Sequence, residues 1–211
     1  VSFVRRRPSE AELGFFRAAV RRLGVTNREA EAHLSAADVP RSTVLLSTGD
    51  VPDLSGLVVS GVVREYYLQP DGTEHTRHFA LAGDAFGSIS DAIAGRPVRA
   101  EVCVESDAVV LLLPWPVIEQ LAARSREWER CRHRIVEELL VRRSTREYEL
   151  LALDAMGRYL SLLEQHPRIE EAVPQRHIAS YLGITPVHLS RLRRRRRLGS
   201  RANPGTGRAR R

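Results

Sequence analysis

The sequence predicts an α+β fold: N-terminal helices, an antiparallel β-roll of jelly-roll type, a long dimerisation helix and a C-terminal helix-turn-helix lacking an evident wing. Three observations predict it. Between Ser42 and Leu113, short runs of Val, Leu and Tyr are punctuated by glycines at 49, 61, 72 and 83, the regular turn spacing of antiparallel barrels and sandwiches. From Val117 to Met156 neither Gly nor Pro interrupts the chain, so a helix can run there. From Gln175 to Leu192, two short apolar-faced segments flank Gly183. The expected segments are N-terminal helices (1–41), roll (42–115), dimerisation helix (116–150), helix-turn-helix head (151–197) and disordered basic tail (198–211).

Near the N-terminus, Leu13, Phe16, Val20 and Leu23 recur at helical spacing and Gly24 can end the run. Thr26 with Glu29 three residues on has the capping-box spacing, which predicts a second short helix before Pro40. In the roll, Gln69-Pro70-Asp71-Gly72 lies between two strand-like runs and reads as a hairpin. Beyond Pro114-Trp115-Pro116, the residues Trp128, Cys131, Ile135 and Leu139 form one narrow apolar stripe flanked by mixed charges. Such a stripe resembles a coiled-coil seam, so these four are expected at a dimer interface. The alternative is that they pack on the roll of their own chain. The stripe lapses at Arg142-Arg143-Ser144. A further helix is expected from Ala155 to Gln165, ended by His166-Pro167.

Charge is distributed unevenly. All 33 basic residues are arginine. Residues 1–171 hold 22 of them against all 26 carboxylates, whereas residues 172–211 hold 11 and no carboxylate. A mildly acidic body with a strongly basic end predicts a polyanionic partner for that end. The longest apolar run, Ala108 to Leu113, cannot span a bilayer. Two cysteines cannot form a disulfide framework or a four-thiolate metal site, and with no secretory signal evident a cytoplasmic location is expected.

The segment Gln175–Leu192 fits a helix-turn-helix position by position. Ile178, Leu182, Leu189 and Leu192 stand where the two helices must pack, and Ala179 is small where they approach. Gly183 supplies a left-handed turn, Thr185 an N-cap, and Pro186 a first helical residue that needs no N–H. The second helix of such a motif enters the major groove of duplex DNA with its N-terminal residues toward base edges. Pro186, Val187, His188, Ser190 and Arg191 would face outward there, with Arg191 suited to a bidentate contact to guanine. Gln175, Arg176, Thr185 and Arg194 are placed for the backbone, and phosphate contacts position without specifying.

The order of parts resembles the Crp–Fnr family of bacterial transcription regulators from about Ser42 to Arg194. The motifs that carry the resemblance are Val173-Pro174-Gln175 through Arg194, the segment Asp154–Leu163, and the turns at Gly61, Asp71-Gly72 and Gly83-Asp84-Ala85-Phe86-Gly87-Ser88. The resemblance implies a homodimer whose roll senses a small-molecule effector and whose two heads read a palindromic operator in double-stranded DNA, with RNA polymerase as a further partner. It also places an effector pocket at Phe86, Gly87, Ser88, Ile89, Val98, Arg99 and Ala100. Members that bind cyclic nucleotides have a Gly-Glu pair for the ribose, and an Arg followed by a small hydroxyl residue for the phosphate. Here Ser88 follows Gly87, and the later positions read Val98-Arg99-Ala100, with arginine displaced by one residue. In a strand that shift turns the side chain to the opposite face, although in a turn or helix Arg99 would still reach the pocket. A bound cyclic nucleotide is therefore not expected, and no cofactor is assigned. The family's wing is replaced by Arg193 to Arg197 and a Gly- and Pro-containing stretch that cannot build a hairpin core. That tail either substitutes electrostatically for the wing or does nothing.

Two other function classes fit the sequence less well. A cupin-like metal enzyme would need clustered histidines, but His75 and His78 are three apart and point to opposite faces of a strand. Cys103 lies in an apolar strand, while Cys131 would meet its symmetry mate across a helix seam. A non-specific polyanion-binding module would explain the charge, but not the helix-turn-helix spacing.

Overall fold

The computed structural model describes residues 3–201. Helix α1 (Glu10–Arg22) starts at a capping box: the Ser9 side chain accepts from the Glu12 N–H and the Glu12 carboxylate accepts from the Ser9 N–H. Glu12 is itself buried and receives both ends of the Arg6 guanidinium, at 2.8 and 2.7 Å. That fork anchors a two-residue strand, β1 (Arg5–Arg6), which pairs with β2 (Ser35–Val39). The first forty residues are therefore not wholly helical. The helix expected after Thr26 is instead a 3-10 turn at Glu29–His33. Thr26 does not cap it, because its hydroxyl and N–H both donate to the Glu127 carboxylate, at 2.7 and 2.8 Å.

The roll thus begins at Ser35 rather than Ser42. It continues through β3 (Val44–Leu46), β4 (Ser55–Leu68), β5 (Glu74–Ala80), β6 (Ala85–Gly87) and β7 (Glu101–Leu112), all antiparallel. The sheet order is β1-β2-β7-β4-β5, with β3 also on β7 and β6 also on β4. The two long strands are the spine, and Val58, Val63, Phe86, Val98, Val102, Val104 and Val110 pack between the layers. The hairpin expected at Gln69–Gly72 joins β4 to β5. At Gly61 (φ +85°) a Cβ would stand 2.5 Å from the Asp107 carbonyl oxygen, so the irregular pairing of β4 with β7 between Ser60 and Val62 requires glycine there. A short helix, α2 (Ile89–Ile93), follows β6.

The expected single helix is broken. Helix α3 (Trp115–Arg124) ends at Ser125, whose backbone is extended, and α4 (Arg126–Ala152) starts after it. Trp128 and Cys131 are buried in their own chain, at 1% and 0% exposure, against Phe16, Val25, Leu34 and Ile118. Ile135 and Leu139 pack on the same cluster. The stripe expected to face a second copy therefore packs on its own chain, with Trp128 and Cys131 buried and Ile135 and Leu139 partly covered beside them. Burial also pushes the Cys131 thiol up to about 12, so it is not a poised thiolate.

The opposite face of α4 carries the exposed apolar residues. At about 100° per residue, Leu140, Val141, Ser144, Tyr148 and Leu151 fall within roughly 100° of arc. Of these, Leu140, Val141, Tyr148 and Leu151 are at least 60% exposed. Helices α5 (Ala155–Gln165), α6 (Ile169–Ala172), α7 (Gln175–Leu182) and α8 (Pro186–Arg201) complete the described chain. Helix α8 continues four residues into the segment expected to be a disordered tail. The rest of that tail, 202–211, lies outside the described residues. Among the described residues no strand follows α8, and no helix is long and apolar enough to cross a membrane.

Candidate functional site

The two C-terminal helices have the geometry their sequence implies. Helix α7 ends at Gly183, which takes φ +66° and ψ 35°, the left-handed conformation. The N–H groups of Gly183 and Ile184 return to the Ser180 and Ala179 carbonyls, closing the end of the helix. Thr185 Oγ1 accepts from the His188 N–H at 3.2 Å, so α8 has its N-cap, with Pro186 as its first residue. Ile178, Ala179, Leu182, Leu189 and Leu192 are buried and form the joint between the helices. Every residue expected to meet DNA (Gln175, Arg176, Thr185, Pro186, Val187, His188, Ser190, Arg191 and Arg194) is exposed.

The arginine run on α8 divides by direction. Arg193 turns inward to Glu170 at 2.8 Å, and Arg196 leans toward the same carboxylate at 3.8 Å. The Tyr159 hydroxyl donates to Glu170 at 2.9 Å, completing a clamp that fixes α8 on α5 and α6. Arg196 is thus partly committed to the protein rather than free for phosphate alone. Arg191, Arg194, Arg195 and Arg197 remain exposed along the outer surface.

The head is docked on the roll by polar contacts that the sequence reading missed. His177 on α7 is buried and its Nδ1 lies 2.7 Å from Glu105 of β7. Arg176 Nε donates to His177 Nε2 at 3.0 Å, so Nε2 is an acceptor and the ring proton sits on Nδ1. Glu105 also receives Arg64, which reaches Glu74 at 2.7 Å and the Thr76 hydroxyl at 3.2 Å. Burial works against the Glu105 charge, but His177 and Arg64 outweigh it and hold the carboxyl below its ordinary value. Beside this cluster the Ser180 hydroxyl donates to the Glu74 carbonyl oxygen and accepts from the Thr76 N–H. Phe79 and Val62 of the roll join the head's own apolar core, with Phe79 and Tyr181 ring centres 5.4 Å apart.

The expected effector pocket is not one constellation. Val98 and Ala100 are buried, and Val98 packs with Phe86 in the apolar core of the roll. The Ser88 hydroxyl donates to Asp91 at 2.7 Å. Arg99 turns outward, its side chain 47% exposed, and donates through Nε to Asp91 at 2.9 Å. Arg96 donates to the same oxygen at 2.8 Å. Burial raises the Asp91 pKa, but Arg96, Ser88 and Arg99 together bring it down to about 2. The displaced arginine thus shares a single carboxylate with Arg96, and its exposed side chain is separated from the buried Val98 and Ala100. Phe86, Gly87 and Ile89 line a separate cavity toward α4. Of the two strand histidines, His75 is exposed and His78 turns inward to Arg142.

Residues 37–125 match the family model of the cyclic nucleotide-binding domain. No protein with a curated description matches the sequence. Among solved structures, FixK2 from Bradyrhizobium japonicum superposes with a TM-score of 0.70 at 22% identity, covering 84% of this chain and 90% of that one. A transcriptional regulator from Eubacterium rectale assigned to the Crp/Fnr family gives 0.63 at 18% identity, over 86% and 83%. CLP of Xanthomonas campestris, described as a c-di-GMP responsive global regulator, gives 0.61 at 17% identity, over 89% and 93%. At these identities the likeness establishes the fold. The chain thus carries a cyclic nucleotide-binding domain over residues 37–125, set within the fold of the Crp/Fnr regulators.

Proposed function

We propose that this protein is a sequence-specific DNA-binding transcriptional regulator that acts as a homodimer. The observation that carries the reading is the start of α8: a capped helix whose first two turns present Val187, His188, Ser190 and Arg191 to solvent, in a stretch of sequence without carboxylates. Inserted in the major groove, Arg191 would read guanine O6 and N7 and Val187 a thymine methyl, while Gln175, Arg176 and Arg194 grip phosphates.

Dimerisation is assigned to the outer face of α4, through Leu140, Val141, Tyr148 and Leu151, in place of the buried stripe. These residues are exposed on one side of a 27-residue helix, and pairing two copies would bury them. Two heads related by a two-fold axis read half-sites about 34–36 Å apart, one turn of the duplex. Selection from random duplexes tests the proposal. It requires enrichment of one inverted repeat, with two chains bound per site. Equal retention of all duplexes would make the protein a polyanion binder instead.

A further inference from the structure

One ring nitrogen at the junction of head and roll faces two groups that need opposite things from it. The His177 ring, 7% exposed in the first turn of α7, is held at Nδ1 by Glu105 of β7 at 2.7 Å. Two groups reach its Nε2: the Arg176 Nε, which donates to it at 3.0 Å, and the Glu74 carboxylate of β5, at 3.6 Å. A guanidinium only donates, so the Arg176 bond needs a bare lone pair on Nε2. An ionised carboxylate only accepts, so a bond to Glu74 needs a proton there. The ring cannot serve both at once.

The rest of the cluster fixes the ring and leaves that choice to the proton. Besides Glu105, Glu74 and Arg176, the charged group at this junction is Arg64 of β4, buried and bonded to both glutamates. Against the cost of burial, His177 and Arg64 hold the Glu105 carboxyl below its ordinary value, so Nδ1 keeps an ionised partner in mild acid. Arg176, by contrast, is exposed. Among the described residues its Nη1 and Nη2 meet no protein acceptor. The bond to His177 thus pins the root of the guanidinium and leaves its outer edge open to solvent.

We propose that His177 is a positioning residue for DNA binding that acts through Arg176. With Nε2 bare it holds the guanidinium ready for a backbone phosphate; with Nε2 protonated it turns to Glu74 and releases Arg176. Holding a long side chain in place beforehand removes an ordering cost from binding. Histidine is the side chain whose charge ordinarily changes between pH 5 and 8, so the exchange is read as a proton dependence of duplex affinity. That dependence arises inside the junction and not on the reading face of α8. The role at DNA rests on the regulator reading given above, whereas the exchange of partners at Nε2 does not.

Nitrogen NMR of the imidazole rings tests the exchange on the full chain without DNA. From pH 8 to 5, His177 should keep its proton on Nδ1 and gain a second one on Nε2. A ring that already carries its proton on Nε2 at pH 8, or that stays unchanged over the range, would overturn the proposal. Affinity for the selected duplex should fall over the same range by about threefold to tenfold per head, the scale of ordering one long side chain. Any contribution of His188 is common to all the variants compared. His177→Gln keeps an acceptor near the Nε2 position that takes no proton, and should lose the fall with pH. His177→Asn keeps a donor for Glu105 but no acceptor for Arg176, and should bind more weakly than His177→Gln at pH 8. Arg176→Met is the safeguard on folding, since it alters an exposed side chain; it too should lose the fall with pH. A fall retained in full by both His177→Gln and Arg176→Met sinks the positioning role. The comparison runs on any duplex that binds, so equal retention of all duplexes would end the regulator reading and leave this test intact.

Discussion

His177 of the helix-turn-helix and Glu105 of the β-roll are hydrogen-bonded across 2.7 Å, and both side chains are buried. One end of the contact belongs to the C-terminal head and the other to β7, the middle strand of the roll. His177→Ala would leave Glu105 with Arg64 alone, and should cost about 1.5–3 kcal/mol in urea denaturation, the range for a hydrogen bond to a charged group. The same variant should speed proteolysis between α4 and α5. An unchanged denaturation midpoint would mean that the head is not held through this pair.

The two faces of α4 should behave differently on substitution. Tyr148→Asp with Leu151→Asp should yield folded monomers by sedimentation equilibrium, because both side chains are exposed in one chain. Leu139→Asp should instead lower thermal stability, since Leu139 packs against the chain's own core. Monomers from a conservative change at Cys131, with the Tyr148/Leu151 variant still dimeric, would restore the buried stripe as the seam.

Acid should loosen the loop around Asp91. Its folded pKa, about 2, lies below the ordinary 3.8, so the carboxylate contributes fully above 3.8. That contribution is lost as pH falls through 3.8 toward 2. Comparing wild type with Asp91→Asn from pH 5 to 2 should show a difference on the order of 1–2 kcal/mol at the upper end that shrinks toward zero. A difference that is constant with pH would rule out ionisation of Asp91 as its source.

How much of this was legible beforehand follows from the range of each signal. The helix-turn-helix could be read because Gly183, Thr185 and Pro186 act within a few residues of themselves. The roll's glycine spacing is equally local. Strand β2 was missed because Ser35-Ala36-Ala37 has no β-branched pattern, and its place is set by pairing with Leu111 and Val110 far along the chain. The stripe at Trp128 and Cys131 was correctly seen as apolar, but sequence periodicity states that a face is buried and not by what. Arg64 and Glu105, charges set among valines and tyrosines, were the available hint of the junction with the head. His177 gave no such hint, since a histidine on a short helix is unremarkable without its partner.

Deleting the outward arginine Arg194 should reduce the salt dependence of DNA binding by roughly 0.9 in log–log slope, as for one lost phosphate contact. Arg193→Ala should leave the slope unchanged and lower stability instead, because Arg193 is engaged with Glu170 at 2.8 Å. Equal slope losses for the two would mean that the clamp on Glu170 opens on DNA.

The central claim is that the exposed first two turns of α8 read bases, and it is tested most directly by titrating wild type and Arg191→Ala against the selected duplex and each of its single-base variants. The account predicts a loss of about 1–3 kcal/mol on the selected duplex and a flattened preference at one position in each half-site, with the other positions discriminated as before. A uniform loss across all duplexes, with base preferences intact, would place Arg191 on the phosphate backbone and contradict it.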